Sequence, residues 1–164
     1  MKIIKSKIRE ITKVSLGHTF RKGVNVSFTG TTRLIQVKDI TENGDLLGKQ
    51  LDAIDYKFNR DIELVSKGDI VFCPREHKLI AVLIKEDLGA VVVSAPLILL
   101  RVIDRSKISP SFLQAYLNSP QVINQLKNLL MGSFIQTINK ADFMEFEVII
   151  PSLAKLEQQM LEYR

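Results

Sequence analysis

The chain has a single cysteine, Cys73, among its 164 residues, which excludes an internal disulfide. A lone thiol fits a reducing compartment, and a cytoplasmic location is the expectation. No apolar run approaches the roughly 18 residues that would suggest a membrane span, so no membrane partner is expected. The basic N-terminus, MKIIKSKIREI, lacks the hydrophobic core and small-residue cleavage site of a signal peptide. There are two histidines, His18 and His77, too few beside one cysteine for the usual zinc site. The glycine-rich dinucleotide fingerprint, the Walker phosphate loop and the Gly-x-Ser-x-Gly elbow are all missing. Without a cofactor loop or an evident nucleophile, binding is favoured over catalysis, and no metal or cofactor is assigned to this chain.

What is present is ordinary for one globular domain: 46% hydrophobic and 25% charged residues, with no repeat or linker-like tract. The net charge of +5 is unevenly spread. Residues 1–22 hold seven basic side chains and one acidic one, a net of +6. The other 142 residues hold 16 basic and 17 acidic side chains, a net of −1. That asymmetry is compatible with a polyanion partner and equally with a lysine-rich solvated edge.

The first two thirds read as short strands and turns. Arg33–Ile40 partly alternates, and Asn43-Gly44 supplies a hairpin-type turn. Gly68-Asp69 leads into Ile70–Cys73, a buried-strand run that Pro74 should halt. Leu79–Ile84, Ala90–Val93 and Leu97–Ile103 are further strand candidates. Ser109-Pro110 and Ser119-Pro120 each look like an N-cap followed by proline, starting two helices. Gly132 is placed to end the second helix, and 145–150 alternates as a largely buried strand. After Pro151, Leu153, Leu156, Met160 and Tyr163 fall at helical spacing as a partner-helix seam. The expected fold class is α+β, a mixed domain of short strands with C-terminal helices.

One catalytic pattern is worth weighing. Asp69 on one strand and Glu76 with Lys78 near the next could hold Mg²⁺ and activate water, as in a standalone nuclease. Against it, Pro74-Arg75 puts Glu76 and Lys78 at a hairpin tip, and Asp69 after Gly68 belongs to a turn. A helix-mediated interaction module using only the C-terminal seam is the other alternative.

The segments FTGTTRLIQVKDI, VSKGDIVFCPRE, SAPLILLRV, SFLQAYLNSPQV and GSFIQTINKADFMEFEVIIPSL, in this order, carry a resemblance. Their succession resembles that of the specificity (S) subunits of type I restriction–modification enzymes, from about Val14 to Glu162. The resemblance implies one DNA target-recognition domain over 1–150 and the start of a spacer helix over 151–164. It implies a non-catalytic subunit that reads half of a bipartite site in double-stranded DNA. It also implies docking onto methyltransferase (modification) subunits and, where present, restriction subunits. S-adenosylmethionine, ATP and Mg²⁺ are then expected on those partners. Full S subunits usually carry two recognition domains, so the C-terminal helix is also a candidate for homodimerisation. The sequence departs from the usual PPL-Glu-Gln pattern at PSLAKLEQQ.

Arginine can face guanine with two donors, glutamine can pair with adenine, and lysine, serine and threonine can reach phosphate or base. Such residues in expected loops and strand ends are the candidate DNA contacts. They are Arg21, Lys22, Thr31, Thr32, Arg33, Lys57, Arg60, Arg75, Lys78, Ser133 and Gln136. Gly132, Ile135 and Ile138 are assigned to structure within the same bridge.

Overall fold

The structure, a computed structural model, describes residues 3–58 and 61–151. Its centre is an antiparallel sheet of four strands in the order β2 (Thr12–Leu16), β8 (Ile98–Val102), β5 (Ile70–Arg75), β6 (Lys78–Leu83). A second sheet lies in the order β4 (Asp52–Ile54), β3 (Thr32–Ile35), β7 (Val91–Val93), with β3 and β7 parallel. A ribbon pairs β1 (Ile4–Lys7) with β9 (Glu147–Ile150), and the short helix α1 (Ile8–Ile11) follows β1 directly. Three further α-helices occur among the described residues: α2 (Pro110–Asn118), α3 (Pro120–Lys127) and α4 (Lys140–Met144).

The run Ile70–Cys73 is apolar throughout because the central sheet is covered on both faces. Ile70 and Phe72 join Ile98, Leu100 and Ala81 against Phe112, Leu113, Leu117 and Leu126 of the helices. Val71 and Cys73 point the other way, into a core shared with Ile35, Val91, Val93 and Leu99. The far side of the smaller sheet carries Leu34, Ile54 and Val92 beneath Phe20 and Phe58. Each fully buried Leu or Phe in these layers contributes roughly 1.5–3 kcal/mol. Phe72 and Phe143 stack at 4.5 Å between ring centroids, tying α4 to the sheet.

The YLNSP segment has a clear structural task. Strand β6 is an edge, and unpaired edge backbone is a liability. The Asn118 side chain accepts from Ala81 N at 2.8 Å and donates to Ala81 O at 2.7 Å, so one amide stands in for a neighbouring strand. Tyr116 Oη accepts from Ile149 N at 3.2 Å, linking α2 to β9. Ser109 caps α2, its hydroxyl accepting from Phe112 N at 3.1 Å. Ser119 behaves differently: its hydroxyl donates back to Tyr116 O at 2.8 Å, and α3 has no side-chain cap.

Four expectations need correction. Pro74 does not halt β5, which runs on to Arg75. Strand β8 pairs with β5 only over Ile70–Phe72, so the missing proline N–H falls at an edge where it breaks no ladder bond. Helix α3 stops at Lys127 with Asn128 as its cap, five residues before Gly132. The strand at 147–150 buries one face only, with Val148 and Ile150 inside and Glu147 and Ile149 outside. Arg33–Ile40 is strand only to Ile35, because Val37–Asp39 coils into a 3-10 turn. The Asn43-Gly44 turn forms as read, with Gly44 at φ +82° and Gly44 N bonded to Thr41 O at 3.1 Å.

Candidate nucleic-acid interface

Two groups of candidate residues come together. At one end of the central sheet, Glu76 and His77 alone connect β5 to β6, with Arg75 opposite Lys78. Against this hairpin lies the loop of residues 131–137, closed by Met131 N to Thr137 O at 3.0 Å and Thr137 N to Met131 O at 2.9 Å. The loop is docked by Glu76 N donating to Gln136 O at 3.1 Å and Ile138 N donating to Pro74 O at 2.9 Å. The Thr137 hydroxyl also donates to Pro74 O, at 3.2 Å. Gly132 sits at φ +125°, where a Cβ would come within 2.9 Å of Ile135 O. Glycine is therefore required for the loop's entry, rather than for a helix end. Ser133 is exposed and Gln136 and Arg75 are half-buried, all on this joined surface. Ile138 is buried, but Ile135 is 57% exposed, so only the former belongs to the core.

The second group surrounds an aromatic cluster. Phe20 and Tyr56 meet edge-on at 4.9 Å, and Tyr56 meets Phe58 at 4.8 Å. Arg21 and Lys22 occupy the turn closed by Gly23 N to Phe20 O at 3.1 Å, and both are exposed. Lys57 is exposed between Tyr56 and Phe58. The aromatic contacts thus bring these three cations to one side of the smaller sheet. Thr31 is exposed and Thr32 half-buried at the entry to β3. Arg60 and the seam residues Leu153, Leu156, Met160 and Tyr163 lie outside the described residues.

Two expected contacts turn inward. Arg33 donates to Gly48 O at 3.2 Å and to Leu88 O, fastening the smaller sheet to its connecting loops. Lys78 donates to Ile40 O at 2.7 Å and Val37 O at 3.2 Å, closing the open carbonyl end of the 3-10 turn. Both cations are half-buried and committed to backbone carbonyls, which gain charge-assisted partners. Periodicity could not have revealed this, because the acceptors are remote in sequence.

The nuclease constellation is not assembled. Asp69 is fully buried, and its carboxylate accepts from Arg101 Nε and Nη2, each at 2.9 Å, and from Ser66 N at 2.8 Å. Lys78 is committed to carbonyls, leaving Glu76 exposed on the hairpin. Among the described residues no group of three His, Cys, Asp or Glu side chains is placed to hold a metal. Burial also pushes the Cys73 thiol up, away from the reactive thiolate. The N-terminal cations are partly spent in the same way. Lys7 and Arg9 both pair with Glu145, at 2.6 and 2.8 Å, and hold its carboxyl below the usual range. Lys13 pairs with Glu63 at 3.1 Å.

What remains is a two-sheet scaffold whose loops present Arg, Lys, Ser, Thr and Gln side chains beside a partly exposed aromatic cluster. A family model for the type I restriction modification DNA specificity domain matches residues 3–163, and the chain belongs to that family. No curated protein matches the sequence. Among solved structures, the HsdS subunit from Thermoanaerobacter tengcongensis is similar with a TM-score of 0.70 and 16% identity. The type I restriction–modification S subunit from M. genitalium is similar with a TM-score of 0.63 and 16% identity. A chain from a structure of type I complex assembly and conformational transition gives 0.69 and 18%. Each match covers 98% of this chain but only 38–42% of the other, so the chain spans about two fifths of those proteins. The shared fold is the mixed α+β fold described above. Among the described residues no helix is long and apolar enough to cross a membrane.

Proposed function

We propose that this chain is the DNA-reading component of a type I restriction–modification complex. It recognises one half of a bipartite site in double-stranded DNA and docks methyltransferase subunits. The observation that carries the reading is the specificity-domain family match across residues 3–163. Supporting it, the hairpin with Arg75 and the braced loop with Ser133 and Gln136 offer donors suited to base edges and phosphates. Arg21, Lys22, Thr31, Thr32 and Lys57 form a second contact group. The recognition domain is assigned to 1–150 and the spacer helix, with its Leu153, Leu156, Met160 and Tyr163 seam, to 151–164.

On this reading the chain performs no chemistry. The methyltransferase subunits would carry S-adenosylmethionine, and restriction subunits would carry ATP and Mg²⁺. Combined with cognate methyltransferase subunits, the chain should direct adenine methylation to a defined sequence. Replacing this domain with another recognition domain should move the methylated sites, read by methylation-sensitive sequencing. Unchanged sites after the swap would refute the proposal.

A further inference from the structure

The loop of residues 131–137 displays an aromatic ring that its own fold leaves uncovered. Phe134 is 98% exposed, with Met131 at 61% and Ile135 at 57% in the same loop. A bare phenyl ring flanked by two more apolar side chains signals a contact surface. The loop is also firmly mounted. Its closing pair of backbone bonds, its docking onto Glu76 and Pro74, and the positive-φ Gly132 hold the ring on the end of the β5–β6 hairpin.

The charge around it is one-sided. Residues 74–79 and 127–140 contain Arg75, Lys127 and Lys140 against Glu76 alone, besides Lys78, whose ammonium is held by the Val37 and Ile40 carbonyls. Three apolar side chains fall well short of the roughly 1,000 Å² a stable protein interface buries. A small apolar spot within a cationic field instead matches a nucleic acid, with phosphates outside and stacked bases within.

We propose that Phe134 is a stacking side chain that packs against a base-pair step of bound double-stranded DNA. Arg75, Ser133 and Gln136 hold the adjoining phosphates and base edges. Proteins use such apolar wedges to unstack a step and sense its deformability, so this residue contributes to reading DNA shape. The inference rests on the DNA-reading function proposed above and adds a residue that sequence-specific hydrogen bonding alone would not suggest.

The chain contains no tryptophan, so Phe134→Trp installs a single optical probe at the ring position. Ile103→Trp is the control. Ile103 is 63% exposed and follows β8 past the Leu100–Ile70 pair, at the opposite end of the sheet from the hairpin. Each variant of this chain is titrated at low salt with a dye-labelled, mixed-sequence DNA duplex, whose anisotropy reports binding independently. At saturation the indole of the Phe134→Trp variant should be strongly quenched and protected from acrylamide, while that of the Ile103→Trp control stays unchanged. Phe134→Ala should weaken binding about tenfold, and Phe134→Tyr should retain it. Because residue 134 is exposed, these variants leave the core intact. If the duplex binds but the indole at position 134 stays as bright and accessible as in the free chain, the stacking role is wrong and the DNA-reading function stands. If no duplex binds, both fall. Protection of that indole by methyltransferase subunits without DNA would make position 134 a protein contact and overturn the inference.

Discussion

Removing Arg101 should unfold this domain far more readily than its position on the rim of the sheet suggests. Its guanidinium grips the fully buried Asp69 with two 2.9 Å hydrogen bonds, donates to Leu64 O at 3.0 Å and pairs with Glu63. The Arg101→Met substitution keeps much of the packing but leaves the Asp69 carboxylate with Ser66 N as a remaining donor at 2.8 Å. Stripping one partner from a buried ion pair costs about 3–5 kcal/mol. The Arg101 side chain is 32% exposed, so water can partly replace it, and about 3 kcal/mol is expected. Asp69→Asn keeps an acceptor for Ser66 and should cost less, about 2 kcal/mol. Because the two residues share one interaction, the double variant should fall short of additivity by at least about 1 kcal/mol. Urea unfolding followed by circular dichroism measures all three. An Arg101→Met variant within about 0.5 kcal/mol of the parent, or strict additivity, would refute the clamp. The same experiment separates a structural Asp69 from a metal ligand, since added Mg²⁺ should not change these stabilities.

Four other outcomes are expected. Gly132→Ala must hold alanine at φ +125° beside Ile135 O, costing about 1–3 kcal/mol and speeding hydrogen exchange at Glu76, Thr137 and Ile138. Lys78→Met loses two carbonyl contacts and should cost about 1–2 kcal/mol in unfolding experiments, with little change in the salt dependence of DNA binding. Arg75→Ala should instead lower the salt-dependence slope by about one unit. The Lys13 hydrogen bond, aided by Arg101, holds the Glu63 carboxyl below its ordinary value. Its stabilisation is therefore complete above the ordinary carboxylate range and lost as pH falls through the lowered value. Glu63→Gln should flatten that acid limb in a pH series of denaturation midpoints.

Much of the scaffold was legible because its signals are local. The Ser109-Pro110 cap, the Asn43-Gly44 turn and the apolar run at Ile70–Cys73 each follow from a few neighbouring residues, and each forms. Pro74 misled because a proline's cost depends on whether a neighbouring strand needs its N–H, and β8 has already ended there. Gly132 misled because positive φ serves a docked loop as well as a helix end. Arg33 and Lys78 looked like surface cations because nothing in their own segments shows the carbonyls that receive them.

The sequence by itself determined the class of protein. The order of its strand, helix and turn segments carries the specificity-domain resemblance, and the family match across residues 3–163 bears it out. Only the tertiary structure decided which side chains are free to meet a partner. Asp69 is withdrawn into a clamp and Lys78 onto a turn, while Phe134 stands bare on a braced loop. Segment order is written along the chain through local propensity and periodicity. Exposure and pairing depend on residues brought together from distant positions, such as Arg101 with Asp69 and Pro74 with Thr137.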